Sequence, residues 1–349
     1  MKVVHLLPAL EQGGVETVVC DLNRVLVGAG CESVVCSCGG RLTDRIVRDG
    51  GRHIALNLKS KNPLTYFSRA LKLRKVLHDE KPDLVCVHSR VPAWLFIWAN
   101  RALGLRWISY AHGANSVSRY SEVMTKGDLV VVPSKFLADF LKANYGITDE
   151  KIRVIPNSVD TARFNPDKLD PAFIAEKRRA WGVVPGDHVL MAIGRITPVK
   201  GLEGLIREFT RSVAEGSDST ACSPKLVIVG GADKHHLKYL ESLEKLAEGK
   251  SVVFAGPQEK IPECISIADE VVSGNTTKPE TFGLSIVEAY AMNKPVRAKR
   301  FGGAAEVMDA VERSGASSLR EAVLSLYAPC RQLERTLSVY REVCRCGCA

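Results

Sequence analysis

Aromatic residues make up only 6% of the chain. They are too few to interleave with its basic residues as the stacking platforms that single-stranded nucleic acid requires. No apolar run approaches the roughly 20 residues of a bilayer-spanning helix. The longest lies near residues 91–99 and is ended by Asn100 and Arg101. No Asp-x-Asp pair occurs anywhere, so a metal-chelating mechanism has no obvious ligands and no metal or other cofactor is expected. No Gly-x-Gly-x-x-Gly follows a strand-like segment, which argues against a nicotinamide enzyme. The opening residues carry a single lysine, a proline at Pro8 and no small-residue cleavage pattern. They are read as a first β-strand and not as a signal peptide.

What is present is an ordinary globular balance over 349 residues, 46% hydrophobic and 25% charged, long enough for two domains of roughly 150 residues. The 11 cysteines do not form a disulfide framework. Cys20, Cys31, Cys86 and Cys264 sit in apolar segments, as free thiols in a reducing cytosol do. The tail Cys344-Arg345-Cys346-Gly347-Cys348 lacks a standard zinc spacing and is expected to be reduced and disordered. Charge is uneven. Residues 1–165 hold 23 Lys+Arg and 15 Asp+Glu, whereas residues 166–349 hold 25 and 24. The first half is therefore expected to meet an anionic partner: a phosphorylated acceptor, an acidic lipid surface or nucleic acid.

Strand and helix signals alternate along the chain. Strands are predicted at residues 2–7, 32–37, 52–58, 83–88, 106–110, 129–132 and 151–156. Helical spacing separates them, notably at 15–27, 64–77 and 135–144, the last capped by Ser134. Residues 157–170, with a proline at Pro166 and several cap-type residues, read as a linker. The pattern restarts with strands at 189–194, 225–230, 251–255, 270–273 and 295–299 and helices near 202–214, 234–247, 282–292 and 318–326. Such alternation predicts parallel sheets covered on both faces. The fold class is α/β, with two doubly wound Rossmann-like domains, 1–165 and 166–328, facing across a cleft. Residues 329–349 form a terminal helix that packs back on the first domain and ends in the cysteine-rich tail. Ligands in such sheets bind at the carboxyl ends of strands.

Four pieces carry chemistry. Gly13-Gly14 follow the first strand and open a helix, where backbone N–H groups approach a phosphate or sugar closely; a plain tight turn is the alternative. Arg195 and Lys200, on the turn after the first strand of the second domain, make a diphosphate clamp, Arg through its planar fork and Lys as a point charge. Two solvated loop cations would look the same. In the segment 279–289, Glu280 lies just before a helix and Glu288 two turns into it. Gly283 and Leu284 offer N–H groups at the helix start. Glu280 suits sugar hydroxyls, and as a plain first-turn acid it would also be favoured. Glu288 sits on an otherwise apolar helix and suits a ribose. His112, after a first-domain strand, points either into a cleft or into the core.

Together these residues resemble the GT-B glycosyltransferases, specifically the retaining glycosyltransferase family 4 that includes lipopolysaccharide-core and other surface-polysaccharide transferases. The spacing of Glu280 and Glu288, with Arg195 and Lys200 before it, carries the resemblance, and the phrase Phe301-Gly302-Gly303-Ala304-Ala305-Glu306 supports it. It spans residues 1 to about 308. The resemblance implies that Arg195 and Lys200 hold the donor diphosphate, that Glu288 binds the ribose, and that Glu280 with Gly283 and Leu284 holds the transferred sugar. It further implies that His112 lines the reaction centre and that Gly13 and Gly14 sit near the donor phosphate and acceptor. The acceptor would be a glycan or lipid-linked glycan, with the first domain binding it. The chain departs from the family after Met308, where the second domain looks trimmed, and at Arg297, Lys299 and Arg300, which place charge where the family is mostly apolar.

Two other readings stay open: a nucleotide-sugar epimerase, and a non-catalytic protein that kept the nucleotide site. Residues 59–81 hold seven basic residues against two acids. Within this segment Leu64, Phe67, Leu71 and Leu77 are expected to share the apolar side of a helix, with Arg69, Lys72 and Lys75 projecting away from it. That basic face points to a cytoplasmic protein in peripheral contact with an anionic inner membrane leaflet.

Overall fold

The computed structural model describes residues 1–11, 13–215, 224–274 and 278–345. The chain folds as two compact units. The first comprises residues 1–158 and 329–349, the second residues 159–328.

The first unit is built on a seven-stranded sheet of β1 (Lys2–Leu6), β2 (Glu32–Ser37), β3 (Arg52–Ala55), β4 (Leu84–Val87), β5 (Trp107–Tyr110), β6 (Leu129–Val132) and β7 (Ile152–Val154), in the order β3-β2-β1-β4-β5-β6-β7. Every pairing is parallel. Residues alternate between faces, and both faces are covered. Val4, Leu6, Val85 and Val87 pack with Leu73, Leu77 and Phe96. Val3, Cys86, Ile108 and Tyr110 pack with Leu22, Leu26 and Tyr340. This double burial is why the strands read as continuous apolar runs.

The second unit carries β8 (His188–Ile193), β9 (Pro224–Val229), β10 (Val252–Gly256), β11 (Glu270–Val272) and β12 (Val296–Arg297), in the order β10-β9-β8-β11-β12 and again parallel. Leu190, Ala192, Leu226 and Ile228 face the Leu202–Glu215 helix, while Val189, Met191, Val227 and Val229 face Trp181 and Ile267. In both sheets the chain winds one way from the first strand and then crosses to its other side. The crossing leaves a switch point between β1 and β4 in one unit and between β8 and β11 in the other, where doubly wound sheets take their ligands.

The boundary lies earlier than the sequence predicts. The sequence pattern puts residues 157–165 in a linker and at the first domain's end, but Val159 and Phe164 are buried in the second unit's core beside Ile286 and Tyr327. Arg320 fastens this segment by donating to the carbonyls of Thr161 at 3.2 Å and of Ala291 at 2.7 Å. Beyond Met308 the second unit continues as the helices Gly303–Arg313 and Leu319–Leu326, whose Val311, Ala322 and Val323 enter the same core. The Pro329–Arg345 helix belongs with the first unit. Its Tyr340 is fully buried, with its hydroxyl 3.0 Å from that of Tyr110, and accepts from the Cys86 thiol at 3.2 Å.

The faces of the Tyr66–Glu80 helix differ from the expectation at Leu64, Phe67, Leu71 and Arg69, whereas Leu77 faces inward as expected. It turns Arg69, Ala70, Leu73 and Leu77 inward. Arg69 is 6% exposed because its guanidinium donates to the carbonyls of Ser60 at 2.7 Å, Asn62 at 3.1 Å and Thr65 at 3.2 Å. Leu64, just before the helix, and Phe67 and Leu71 on it are exposed instead. Of the cations expected to project, Lys72 and Lys75 do and Arg69 does not. The charges near β12 have local partners. Arg297 pairs with Glu270 at 3.2 Å, Arg300 bonds Asp309 at 2.6 Å, and Lys299 lies over the Phe301 ring. The tail residues Cys346 and Cys348 lie outside the described residues.

Candidate functional site

In the second unit, β8 ends at Ile193 and leads through Gly194 and the exposed Arg195 to the short 3-10 turn Pro198–Lys200. The turn is closed by Gly201 in the left-handed region and feeds the Leu202–Glu215 helix. Gly230, after β9, has φ +151, and a Cβ there would overlap the Gly194 carbonyl oxygen. Only glycine lets the two strand ends meet this closely. At the other side of the switch point Gly274 follows β11, and a Cβ on it would lie 2.5 Å from the Gly201 carbonyl oxygen. These close approaches bring the two loops together, and Lys200 Nζ bonds Glu280 Oε1. Both side chains keep about a third or a quarter of their surface exposed, 32% and 26%. The pair is therefore open to exchange with a ligand.

Glu280 is fixed from behind. It forms a parallel bridge with Gly302, and its carbonyl accepts from the Gly303 N–H at 2.7 Å. A Cβ at Gly303 would overlap the Thr281 carbonyl oxygen, so the 301–303 loop sits directly against the 280–282 segment. Gly283 then takes φ +91 as the N-cap of the Leu284–Ala291 helix. Glu288 is half-buried on that helix, between the buried Val287 and Ala289. Arg195, Lys200, Glu280, Gly283, Leu284 and Glu288 thus all belong to the second unit, around the ends of β8 and β11. A cavity of about 500 Å³ in the same unit, lined by Leu169, Met292, Lys294 and Arg320 among others, lies away from them. Its Met292–Lys294 wall precedes β12, on the amino side of the strands.

In the first unit, Gly14 opens the Gly14–Gly28 helix, with Gly13 as its extended N-cap. His112 follows β5 and is bonded through Nε2 to His88 Nδ1 at 3.0 Å. His88 follows β4, and its Nε2 lies 3.0 Å from His5 Nδ1, on β1. The three rings run across adjacent strands, and the His88 and His112 rings stack at 5.2 Å between centroids. Burial holds His112 down to about 4 and His5 down to about 3, and lowers His88 well below the ordinary imidazole value. All three are neutral near pH 7. The outer nitrogen of His5, Nε2, is buried without a partner. A buried N–H left unpaired is rarer and costlier than a bare acceptor. The network therefore assigns protons to Nδ1 throughout: His5 donates to His88, His88 donates to His112, and His112 carries its own proton on Nδ1. His5 and His88 were not singled out from sequence. The available signal was a histidine inside or ending each of two apolar strand runs, and their meeting depends on β1 lying beside β4.

Among the described residues no group of three or more His, Cys, Asp or Glu is arranged to hold a metal ion. None of the helices described is long and apolar enough to cross a membrane.

Comparison with known proteins matches each half of the chain. Residues 12–163 match the model of Glycosyltransferase Family 4, and residues 173–316 match that of Glycosyl transferases group 1. A D-inositol 3-phosphate glycosyltransferase of Actinosynnema mirum is 29% identical over 188 residues, covering 52% of this chain and 43% of that protein. The chain thus spans less than half the length of that relative. Among solved structures, a glycosyltransferase of Rickettsia africae aligns with a TM-score of 0.81 at 23% identity, covering 98% of both chains. Anabaena HepE, solved in complex with UDP and glucose, aligns with a TM-score of 0.79 at 19% identity, covering 98% of this chain and 99% of that one. At these identities the structural likeness establishes the fold, two parallel-sheet Rossmann-like domains of GT-B type.

Proposed function

From the matches of residues 12–163 to Glycosyltransferase Family 4 and of residues 173–316 to Glycosyl transferases group 1, which mark the chain as a glycosyltransferase, we propose that it moves a sugar from a nucleoside-diphosphate donor to a glycan or lipid-linked acceptor. The reading includes retention of anomeric configuration, independence of metal and a place in surface-polysaccharide assembly. The observation that carries it is the Lys200–Glu280 pair at the β8/β11 switch point. A donor diphosphate takes over the Lys200 ammonium, joined by the Arg195 guanidinium. Two fixed cations stabilise the charge that builds on a departing diphosphate. Release of Lys200 leaves the Glu280 carboxylate to accept hydrogen bonds from hydroxyls of the transferred sugar, while Glu288 takes the ribose hydroxyls.

His112, neutral and protonated on Nδ1, serves as a hydrogen-bond donor in this reaction and not as a proton acceptor there. No paired carboxylates at nucleophile-and-acid spacing are invoked for retention. Attack on the face that the diphosphate leaves is the mechanism proposed.

The test is calorimetric titration of the full chain with UDP, GDP and ADP and their sugars, followed by turnover with and without EDTA. Binding of one nucleotide, lost in Lys200→Ala, supports the reading. Absence of binding to all three overturns it in favour of a chain that has lost the nucleotide site. Activity abolished by EDTA and restored by Mn²⁺ overturns the metal-free part alone.

A further inference from the structure

Between Asn57 and Glu80 the chain spends its apolar residues in two directions. One set closes the core, as described above. The other is in water: Leu64 is 91% exposed, Phe67 60% and Leu71 51%. Leu64 lies in the 3-10 turn Pro63–Thr65 that runs into the Tyr66–Glu80 helix. At 100° per residue Phe67 and Leu71 fall on one outward stripe of that helix, with Ser68, Lys72 and Lys75 beside them. Large apolar side chains grouped on an outer face mark a contact surface.

The neighbours of this stripe are aromatic on one side. Phe67 meets the Trp98 ring edge-on at 5.5 Å between centroids. One turn before Trp98 on the Arg90–Asn100 helix, Trp94 is 37% exposed and donates its indole N–H to the Tyr120 carbonyl at 3.1 Å. Tyr120 is itself exposed and stacks on Trp94. Two of the chain's four tryptophans therefore border one outer face. Indole and phenol rings, with an apolar body and a polar edge, suit the boundary between hydrocarbon and water.

On the other sides the border is basic. The exposed Lys59 and Lys61 sit on the loop that the buried Arg69 guanidinium ties down through the Ser60 and Asn62 carbonyls. Lys72 and Lys75 flank the stripe on the helix, and Arg101 is exposed after the tryptophan helix. Asp79, on the same helix, is bonded to Lys75 at 3.3 Å and lies at its far end.

We propose that this face docks on an anionic lipid bilayer, with Leu64, Phe67 and Leu71 entering the headgroup region and the lysines meeting lipid phosphates. An apolar stripe framed by lysines is the composition that holds an amphipathic helix in the plane of such a surface. A second copy of the chain would bring like charges together around the same stripe, which the border disfavours. The buried Arg69 has a part in this: by pinning the 59–62 loop it holds Lys59, Lys61 and Leu64 on the exposed side. The proposal is independent of the transferase reading.

The experiment is co-sedimentation of the full chain with vesicles of phosphatidylcholine alone or mixed with phosphatidylglycerol. No nucleotide or acceptor is present, so its outcome is separate from any measurement of transfer. The wild type is expected to bind the mixed vesicles and not the neutral ones. L64S/F67S/L71S is expected to lower that binding by roughly tenfold or more while remaining folded, its melting temperature lowered only by the lost Phe67–Trp98 contact. K59E/K61E/K72E/K75E should abolish it, and R69M, if folded, should weaken it through the loop. Equal binding by the L64S/F67S/L71S variant overturns the proposal, as does equal affinity for neutral vesicles or no binding at low salt. A lipid-free wild-type dimer that this variant converts to monomer also overturns it and assigns the face to a second copy.

Discussion

The two switch points are built alike and charged differently. Each lies where a parallel sheet reverses its winding beside its first strand. At β1/β4 the side chains gathered are three imidazoles, buried and kept neutral. At β8/β11 they are a lysine and a glutamate, partly exposed and paired with each other, beside an exposed arginine. Topology therefore supplies a place for chemistry, and the residues at the strand ends decide which chemistry. In the function proposed above, the second unit meets a dianionic group and stabilises its departure. The first offers uncharged polar groups in fixed orientations.

The largest effect that would break this comparison is loss of the charged pole. Arg195→Ala and Lys200→Ala are each expected to lower kcat/KM by two or more orders of magnitude, about 3–4 kcal/mol of lost charge stabilisation. Melting temperature should hold in both, because Arg195 is exposed and Lys200 only half-buried. Full turnover in either variant would remove the distinction between the two switch points.

Acid should act on the neutral pole instead. Burial lowers the histidine values in the folded chain, so between about pH 6.5 and 4 the unfolded chain binds more protons than the folded one. Stability then rises with pH across that window and is lost as pH falls through it. For His5 alone, with a folded value of about 3, the loss between pH 7 and 4 is on the order of 3 kcal/mol. Urea unfolding at pH 7, 5.5 and 4 measures it. His5→Phe should flatten the dependence, and an identical slope in that variant would mean that carboxylates elsewhere set it.

The next effect separates affinity from turnover within the charged pole. Glu288→Gln is expected to weaken binding of the free nucleoside diphosphate by about 1.5–3 kcal/mol, the range for a hydrogen bond to a charged group. Titration calorimetry reads it directly, and unchanged affinity would leave Glu288 as a structural residue of its helix.

How much of this could be read from the sequence differs between the poles. Arg195, Lys200, Glu280 and Glu288 stand out by their place near a strand end or helix start, but their proposed roles come from the family resemblance and not from those offsets alone. Strands were visible because buried parallel strands run apolar; β2 and β6 begin and end where the pattern places them. The histidine network was not visible, since it depends on β1 and β4 becoming neighbours from residues more than 80 apart. Nor was the orientation of the Tyr66–Glu80 helix. Leu73 and Leu77 form one apolar stripe, and Phe67 and Leu71 form another. What decides between them is where Arg69 finds carbonyl partners, which only the folded 59–65 loop supplies. The same dependence on distant packing moved the unit boundary, because Val159 and Phe164 are core residues only once the second unit's helices are in place.

The smallest effect concerns the glycines, where the two poles differ again. Gly230 has no room: its backbone is in the left-handed half of conformational space and a Cβ would overlap Gly194. Gly14 has room on every side, with nothing within 4 Å of a built Cβ, and it starts a helix that alanine would favour by up to about 1 kcal/mol. Stability therefore does not call for glycine at position 14. Gly14→Ala should leave the melting temperature level or slightly raised. If the backbone at 13–14 approaches a phosphate or sugar, the added methyl group occupies that approach, and turnover should fall by about tenfold, as a displaced substrate would produce. Thermal denaturation and steady-state kinetics on the same preparation separate the two. A variant that is both as stable and as active as the wild type would make Gly13-Gly14 an ordinary helix entry. The ligand chemistry of the first unit would then rest on its histidines alone.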